Sequence, residues 1–169
     1  KGFPMFTYNS KEGACVDITA LTDTPGTNIF KRRRTCNSTC RGYIRNKCKM
    51  PALTSKYCDT AVTRYWYNPV TQKCEEITGC VDDDTNFGTA KDCWKTCTSE
   101  KSSRCLKPPD LGKVGFGRTC YYYDINENAC KTTTLFAIWK STRNKNNFKT
   151  LKECTETCKP TYNGVVKKL

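Results

Sequence analysis

The chain has 169 residues, 14 cysteines, no histidine and a formal net charge of +13. Cysteine this dense, without CxxC or Cys/His pairs, sets aside a zinc protein and points to a secreted chain stapled by disulfides. Aliphatic residues are too sparse for one large core, and no apolar run approaches the roughly 20 residues that a membrane span needs.

The first element is an aromatic segment, Phe6-Thr7-Tyr8-Asn9, which begins nine residues before Cys15. The same signal recurs as Tyr65-Trp66-Tyr67-Asn68 before Cys74 and as Tyr121-Tyr122-Tyr123-Asp124 before Cys130. Aromatic and β-branched residues predict strands, and the turn-rich "NPVTQK" and "DINENA" predict hairpins. A C-x3-C pair follows each: Cys36/Cys40, Cys93/Cys97 and Cys154/Cys158, with Phe30, Phe87 and Phe148 six residues ahead. "TAKDCWKTC" and "TLKECTETC" open on Thr with an acid three residues on, the pattern of a capped helix. Cysteines at i and i+4 then share one helix face. Three copies in register mark an internal repeat of about 60 residues. The division read from it is 1–47, 48–100 and 101–169.

The middle copy carries six cysteines spaced C-x9-C-x15-C-x5-C-x12-C-x3-C. This resembles the Kunitz domain family, whose pattern differs by one residue in the first gap and two in the third. "CLKPPDLGK" at the start of the third copy is similar to the family as well. The resemblance implies a small disulfide-rich α+β fold: tandem modules, each a twisted hairpin with a C-terminal helix. It implies the pairs Cys48–Cys97, Cys58–Cys80 and Cys74–Cys93 in the second module. The third would keep Cys105–Cys158 and Cys130–Cys154, with Val114 in place of one loop cysteine and no partner for it. The first is expected to be truncated at its N-terminus, starting at Lys1, and to keep Cys15–Cys36. Cys40 and Cys120 are then left over. They pair with each other, or Cys40 holds a separate peptide or a second molecule.

In the family, the residue after the second cysteine enters the specificity pocket of a serine protease and is usually Lys or Arg. Here the loop reads Tyr57-Cys58-Asp59-Thr60-Ala61. A carboxylate there would meet a like charge in a trypsin-like pocket, or lose its hydration in an apolar one. The third module's equivalent, Val114-Gly115-Phe116, has no cysteine to staple it. Neither reads as a substrate-mimicking inhibitor, because such a loop owes its affinity to rigidity.

Charge is uneven along the chain: net +6 over residues 1–47, −2 over 48–100 and +9 over 101–169. Lys31-Arg32-Arg33-Arg34 falls at the start of the first expected helix, where four cations face the positive end of the dipole. With Lys140, Arg143, Lys145 and Lys149 they are the candidate anion-binding residues, for a heparin-like glycosaminoglycan or an acidic protein patch. Asp82-Asp83-Asp84 reads as a solvated turn rather than a calcium site. Asn37-Ser38-Thr39 is a glycosylation sequon.

Multi-Kunitz chains with altered bridges resemble salivary proteins of blood-feeding arthropods. That resemblance implies a secreted, extracellular, monomeric antagonist of a host protein, without catalysis, metal, cofactor, nucleic-acid partner or transmembrane segment. The alternatives are a toxin-like ligand of a receptor or ion channel, and a binder that interferes with glycosaminoglycans or chemokines.

Overall fold

The computed structural model describes residues 1–12, 14–41, 46–50, 60–81, 85–111, 118–135 and 144–162. They form three antiparallel hairpins, each followed by a helix. Strands β1 (Phe3–Asn9) and β2 (Ala14–Ala20) precede α1 (Arg33–Arg41). Strands β3 (Ala61–Asn68) and β4 (Lys73–Cys80) precede α2 (Ala90–Cys97). Strands β5 (Arg118–Asp124) and β6 (Ala129–Leu135) precede α3 (Leu151–Cys158).

The repeat in the sequence becomes a repeat in register. Tyr8 pairs with Cys15, Tyr67 with Cys74 and Tyr123 with Cys130. Each recurring phenylalanine exchanges two backbone hydrogen bonds with the first strand of its own hairpin. The bonds join Phe30 to Phe6 at 2.8 Å, Phe87 to Tyr65 at 2.7 and 2.9 Å, and Phe148 to Tyr121 at 2.6 and 2.8 Å. The chain is therefore clamped to the hairpin just before it turns into the helix.

The second and third helices are capped as their sequences imply. Thr89 Oγ1 accepts from Asp92 N at 3.1 Å, and Thr150 Oγ1 accepts from Glu153 N at 3.0 Å. Such a cap contributes about 1 kcal/mol. Helix α1 has no acid in its first turn. Arg33 stands where the second unit has the buried Ala90, and its side chain turns inward, only 8% exposed. Its guanidinium donates to Asp17 Oδ2 at 2.7 Å and lies 5.0 Å from the Phe6 ring centre.

Five disulfides join described residues: Cys15–Cys36, Cys48–Cys97, Cys74–Cys93, Cys105–Cys158 and Cys130–Cys154. Cys80 is also bridged, and its expected partner Cys58 lies outside the described residues. The proposed Cys40–Cys120 bridge is overturned, since both are free thiols. Helix α1, which carries Cys40, packs on β1 and β2, whereas β5, which carries Cys120, packs on β6 and α3. Cys120 is 2% exposed within its own unit, and its thiol donates to the Arg118 carbonyl oxygen at 3.6 Å. A disulfide needs Cα atoms within about 7 Å and converging Cβ vectors, which two separately packed elements do not supply.

The first unit has its own small core, with Met5, Ala14, Cys15 and Cys36 buried. The other two share a core. Phe87, Cys93 and Trp94 of the second unit form one buried cluster with Cys105, Tyr123, Phe148 and Cys154 of the third. Trp94, just after Cys93, is the joint, and the matching positions elsewhere hold Asn37 and Thr155. Residues 160–162 then return to β4, where Glu76 N donates to the Pro160 carbonyl and Tyr162 N to the Glu76 carbonyl, both at 2.9 Å.

Candidate functional site

The end of the β3–β4 hairpin is where the family's loop would be anchored. Tyr57, Cys58 and Asp59 lie outside the described residues. Thr60 and Ala61 are exposed, and Ala61 pairs with Cys80. Both Cys74 and Cys80 sit within β4, so the short gap between them is continuous strand. Val62 and Val81, 39% and 51% exposed, give this end an apolar rim.

A buried asparagine holds that end in place. Asn86 is 2% exposed; its Nδ2 donates to the Cys80 carbonyl at 2.9 Å, and its Oδ1 accepts from Arg64 Nε at 2.7 Å. Gly79 leaves room beside it. A Cβ there would come within 2.9 Å of Ile77 Cδ1 and 3.2 Å of Asn86 Nδ2. Sequence reasoning did not single out this brace. The available signal was an asparagine one residue before the repeated phenylalanine in two of the three units.

The third unit lacks the brace. Cys120 replaces the arginine, and Asn147 replaces Asn86. Asn147 is fully buried; its Nδ2 donates to the Asp110 carbonyl at 3.3 Å, while its Oδ1 has no partner among the described residues. Val114, Gly115 and Phe116 lie outside the described residues.

The basic candidates are scattered rather than gathered. Lys31 pairs with Asp23 at 3.2 Å, Arg32 and Arg34 are exposed, and Arg33 is turned into its own unit. Lys145 lies 3.8 Å from Asp110, and Lys149 is exposed. Lys140 and Arg143 lie outside the described residues, as do Asp82, Asp83 and Asp84. Among the described residues no cluster of acids and cysteines could hold a metal ion, and no helix is long and apolar enough to cross a membrane. The sequon residue Asn37 is 4% exposed on the inner face of α1, and neither amide atom has a partner among the described residues.

Two carboxylates have displaced acidities. Burial pushes the Glu75 carboxyl up, although the Asn68 amide donates to both its oxygens at 2.9 and 3.0 Å. Lys131, donating to Asp124 at 2.8 Å, holds that carboxyl below the usual range.

The model of the Kunitz/Bovine pancreatic trypsin inhibitor domain matches residues 47–98 and 104–159. The Actinia tenebrosa protease inhibitors are 27% identical over 177 residues, covering 94% of this chain and 61% of that protein. Kunitz-type serine protease inhibitor bitisilin-3 of Bitis gabonica is 34% identical over 113 residues, covering 66% of this chain and 70% of its own length. Ixolaris of Ixodes scapularis is 36% identical over 95 residues, 55% of this chain and 56% of that one. This chain thus spans under two thirds of the sea anemone relative and of Ixolaris.

Proposed function

Because the chain belongs to the Kunitz/bovine pancreatic trypsin inhibitor domain family, we propose that it is secreted and antagonises an extracellular host protein through surfaces other than the substrate-like loop. Serine proteases of coagulation or complement are the first class to test, since relatives of this chain bear the names of protease inhibitors. One observation carries the reading. Asp59 follows Cys58, where the family places the side chain that fills the protease's pocket. An unpaired carboxylate in a dry pocket loses several kcal/mol of hydration, and each 1.4 kcal/mol is about tenfold in affinity.

The exposed Val62 and Val81 and the strand spanning Cys74 to Cys80 support the same reading. The first leaves apolar surface beside the loop, and the second alters the segment that would flank the protease. The third unit adds no competing loop, because Val114 cannot form the staple.

The experiment has two arms. Trypsin-like and chymotrypsin-like enzymes are assayed with small chromogenic substrates, and the intact chain is used as bait in plasma. The expected result is no blockade of small substrates together with capture of a plasma protein whose natural reaction the chain slows. Nanomolar inhibition of small-substrate cleavage that Asp59→Ala abolishes would place residue 59 in the pocket and end this proposal.

A further inference from the structure

A cavity of about 250 Å³ opens where the turn between β3 and β4 faces the start of the third unit. Lys73 comes from the first position of β4, Lys101 from the connecting segment, and Arg104 and Lys107 from the third unit; all four line it. Ser102 and Thr157 add hydroxyls, and no carboxylate is among the lining residues.

Neutral acceptors hold three of these cations. Lys73 Nζ donates to the Glu156 carbonyl at 2.9 Å. Lys107 Nζ donates to the Asn144 carbonyl. Arg104 donates to the carbonyls of Lys145 and Asn147 and stacks 4.0 Å from the Phe148 ring centre. A carboxylate does reach Arg104, that of Glu153 at 3.5 Å. Lys101 is exposed at the rim. Carbonyl dipoles orient an ammonium but do not neutralise it, and the carboxylates that act on these cations, Glu153 on Arg104 and Glu75 on Lys73, stand outside the lining, so four like charges converge on one concavity with partial compensation.

We propose that this cleft between the second and third units binds one sulfate group of a sulfated glycosaminoglycan chain. The group suits the cavity: a compact anion, able to take several charge-assisted hydrogen bonds from Lys and Arg and further ones from Ser102 and Thr157. A flexible polymer can thread a groove between two units, whereas the flat surface of a bilayer meets convex surface first. The site differs from the run at Lys31 to Arg34, where Arg33 is already committed to Asp17 and Phe6. No residue from 57 to 61 is among the described residues that line it, so it stands whether or not the chain blocks a protease.

The test uses the intact chain and a heparin-derived octasaccharide, titrated calorimetrically at several sodium chloride concentrations. Lys101→Gln should weaken binding about threefold or more, and Lys73→Gln with Lys101→Gln at least about tenfold. The slope of log affinity against log salt should fall by about one for each cation removed. Lys31→Gln with Arg34→Gln should leave affinity nearly unchanged. Lys101→Gln alters an exposed side chain, so it stays informative even if the double variant folds poorly. Free sulfate and phosphatidylserine vesicles complete the set. The proposal fails if the intact chain does not bind the octasaccharide at about 50 mM salt. It also fails if the Lys31 and Arg34 changes, rather than that at Lys101, weaken binding. Free sulfate binding as tightly as the octasaccharide would overturn the polymer assignment, and vesicle binding without octasaccharide binding would overturn the ligand class.

Discussion

Trp66 and Tyr162 meet edge to face, their ring centres 5.6 Å apart, across the boundary between the second and third units. Trp66 belongs to β3 of the second unit, and Tyr162 to the segment that follows α3 of the third. Trp66 Nε1 also donates to the Met50 carbonyl at 2.6 Å, so one indole fixes the start of its own unit and the end of the next. The contact continues through the Glu76 backbone bonds and through Trp94.

These contacts should make the last two units unfold together. Tyr162→Ala removes an aromatic pair worth about 0.5–1.5 kcal/mol beyond its buried area. Trp94→Ala should be more damaging, about 3–5 kcal/mol, because it empties the centre of the joint core. In scanning calorimetry the native chain should show one transition for the two units. Trp94→Ala should lower its midpoint and split it in two. Separate transitions in the native chain, or an unchanged midpoint in the Trp94 variant, would rule out the shared core.

The Arg64–Asn86 bond yields a second prediction. Arg64→Ala leaves the buried Asn86 Oδ1 without its donor, a condition that Asn147 already shows in the third unit. An orphaned buried acceptor costs about 1–3 kcal/mol. Destabilisation of that size is expected in denaturant titrations. Faster amide exchange should be confined to the Cys80 end of β4. Arg64→Lys should recover part of the loss, since an ammonium can still donate. Loss spread evenly over the unit, with no recovery in the lysine variant, would show that Arg64 acts by packing alone.

The hairpins and the helices were legible because they rest on spacing, and the five described disulfides followed from the family resemblance. Cysteines, aromatics and phenylalanines recur at fixed offsets, and each offset corresponds to a local contact. Contacts between units leave no such trace. Trp94 replaces a residue that is polar in both other copies, and nothing in the local pattern says whether its ring faces solvent or another unit. The basic run at Lys31 conceals a difference for a related reason. A linear reading treats its four cations alike, yet helical periodicity turns Arg33 toward the hairpin, where Asp17 and Phe6 receive it. Cys40 and Cys120 were paired by counting, and counting ignores where side chains are buried.

Glu75 gives a pH dependence whose sign follows from its surroundings. Burial raises its pKa in the folded chain above the ordinary carboxylate value of about 4.3. The folded state therefore holds the proton more tightly than the unfolded state does, and its stability falls as pH rises through that window. Glu75→Gln keeps an oxygen to accept from Asn68 and removes the titration. The variant should lose this downward component, which sets in as pH rises past the ordinary carboxylate range, and should be at least as stable as the native chain at neutral pH. Asp124, held down by Lys131, contributes in the opposite direction, losing stability as pH falls. The difference between the variant and native curves isolates Glu75, and superimposable curves would show that its carboxylate is not penalised by burial.

The free thiols can be counted directly. Unfolded without reductant, the chain should react with two equivalents of an alkylating reagent per molecule, at Cys40 and Cys120. Folded, it should react first at Cys40, which is partly exposed, and only slowly at Cys120, which is 2% exposed beneath its own hairpin. Burial raises the pKa of both thiols, so neither should react quickly at neutral pH and both should accelerate as the solution is made alkaline. Cys120 should speed up further under mild denaturation, because the β5–β6 hairpin must open to admit the reagent. Cys40→Ser together with Cys120→Ser should leave the other bridges intact on non-reducing peptide maps. A peptide joining Cys40 to Cys120, or a chain with no titratable thiol, would contradict the separation of α1 from β5.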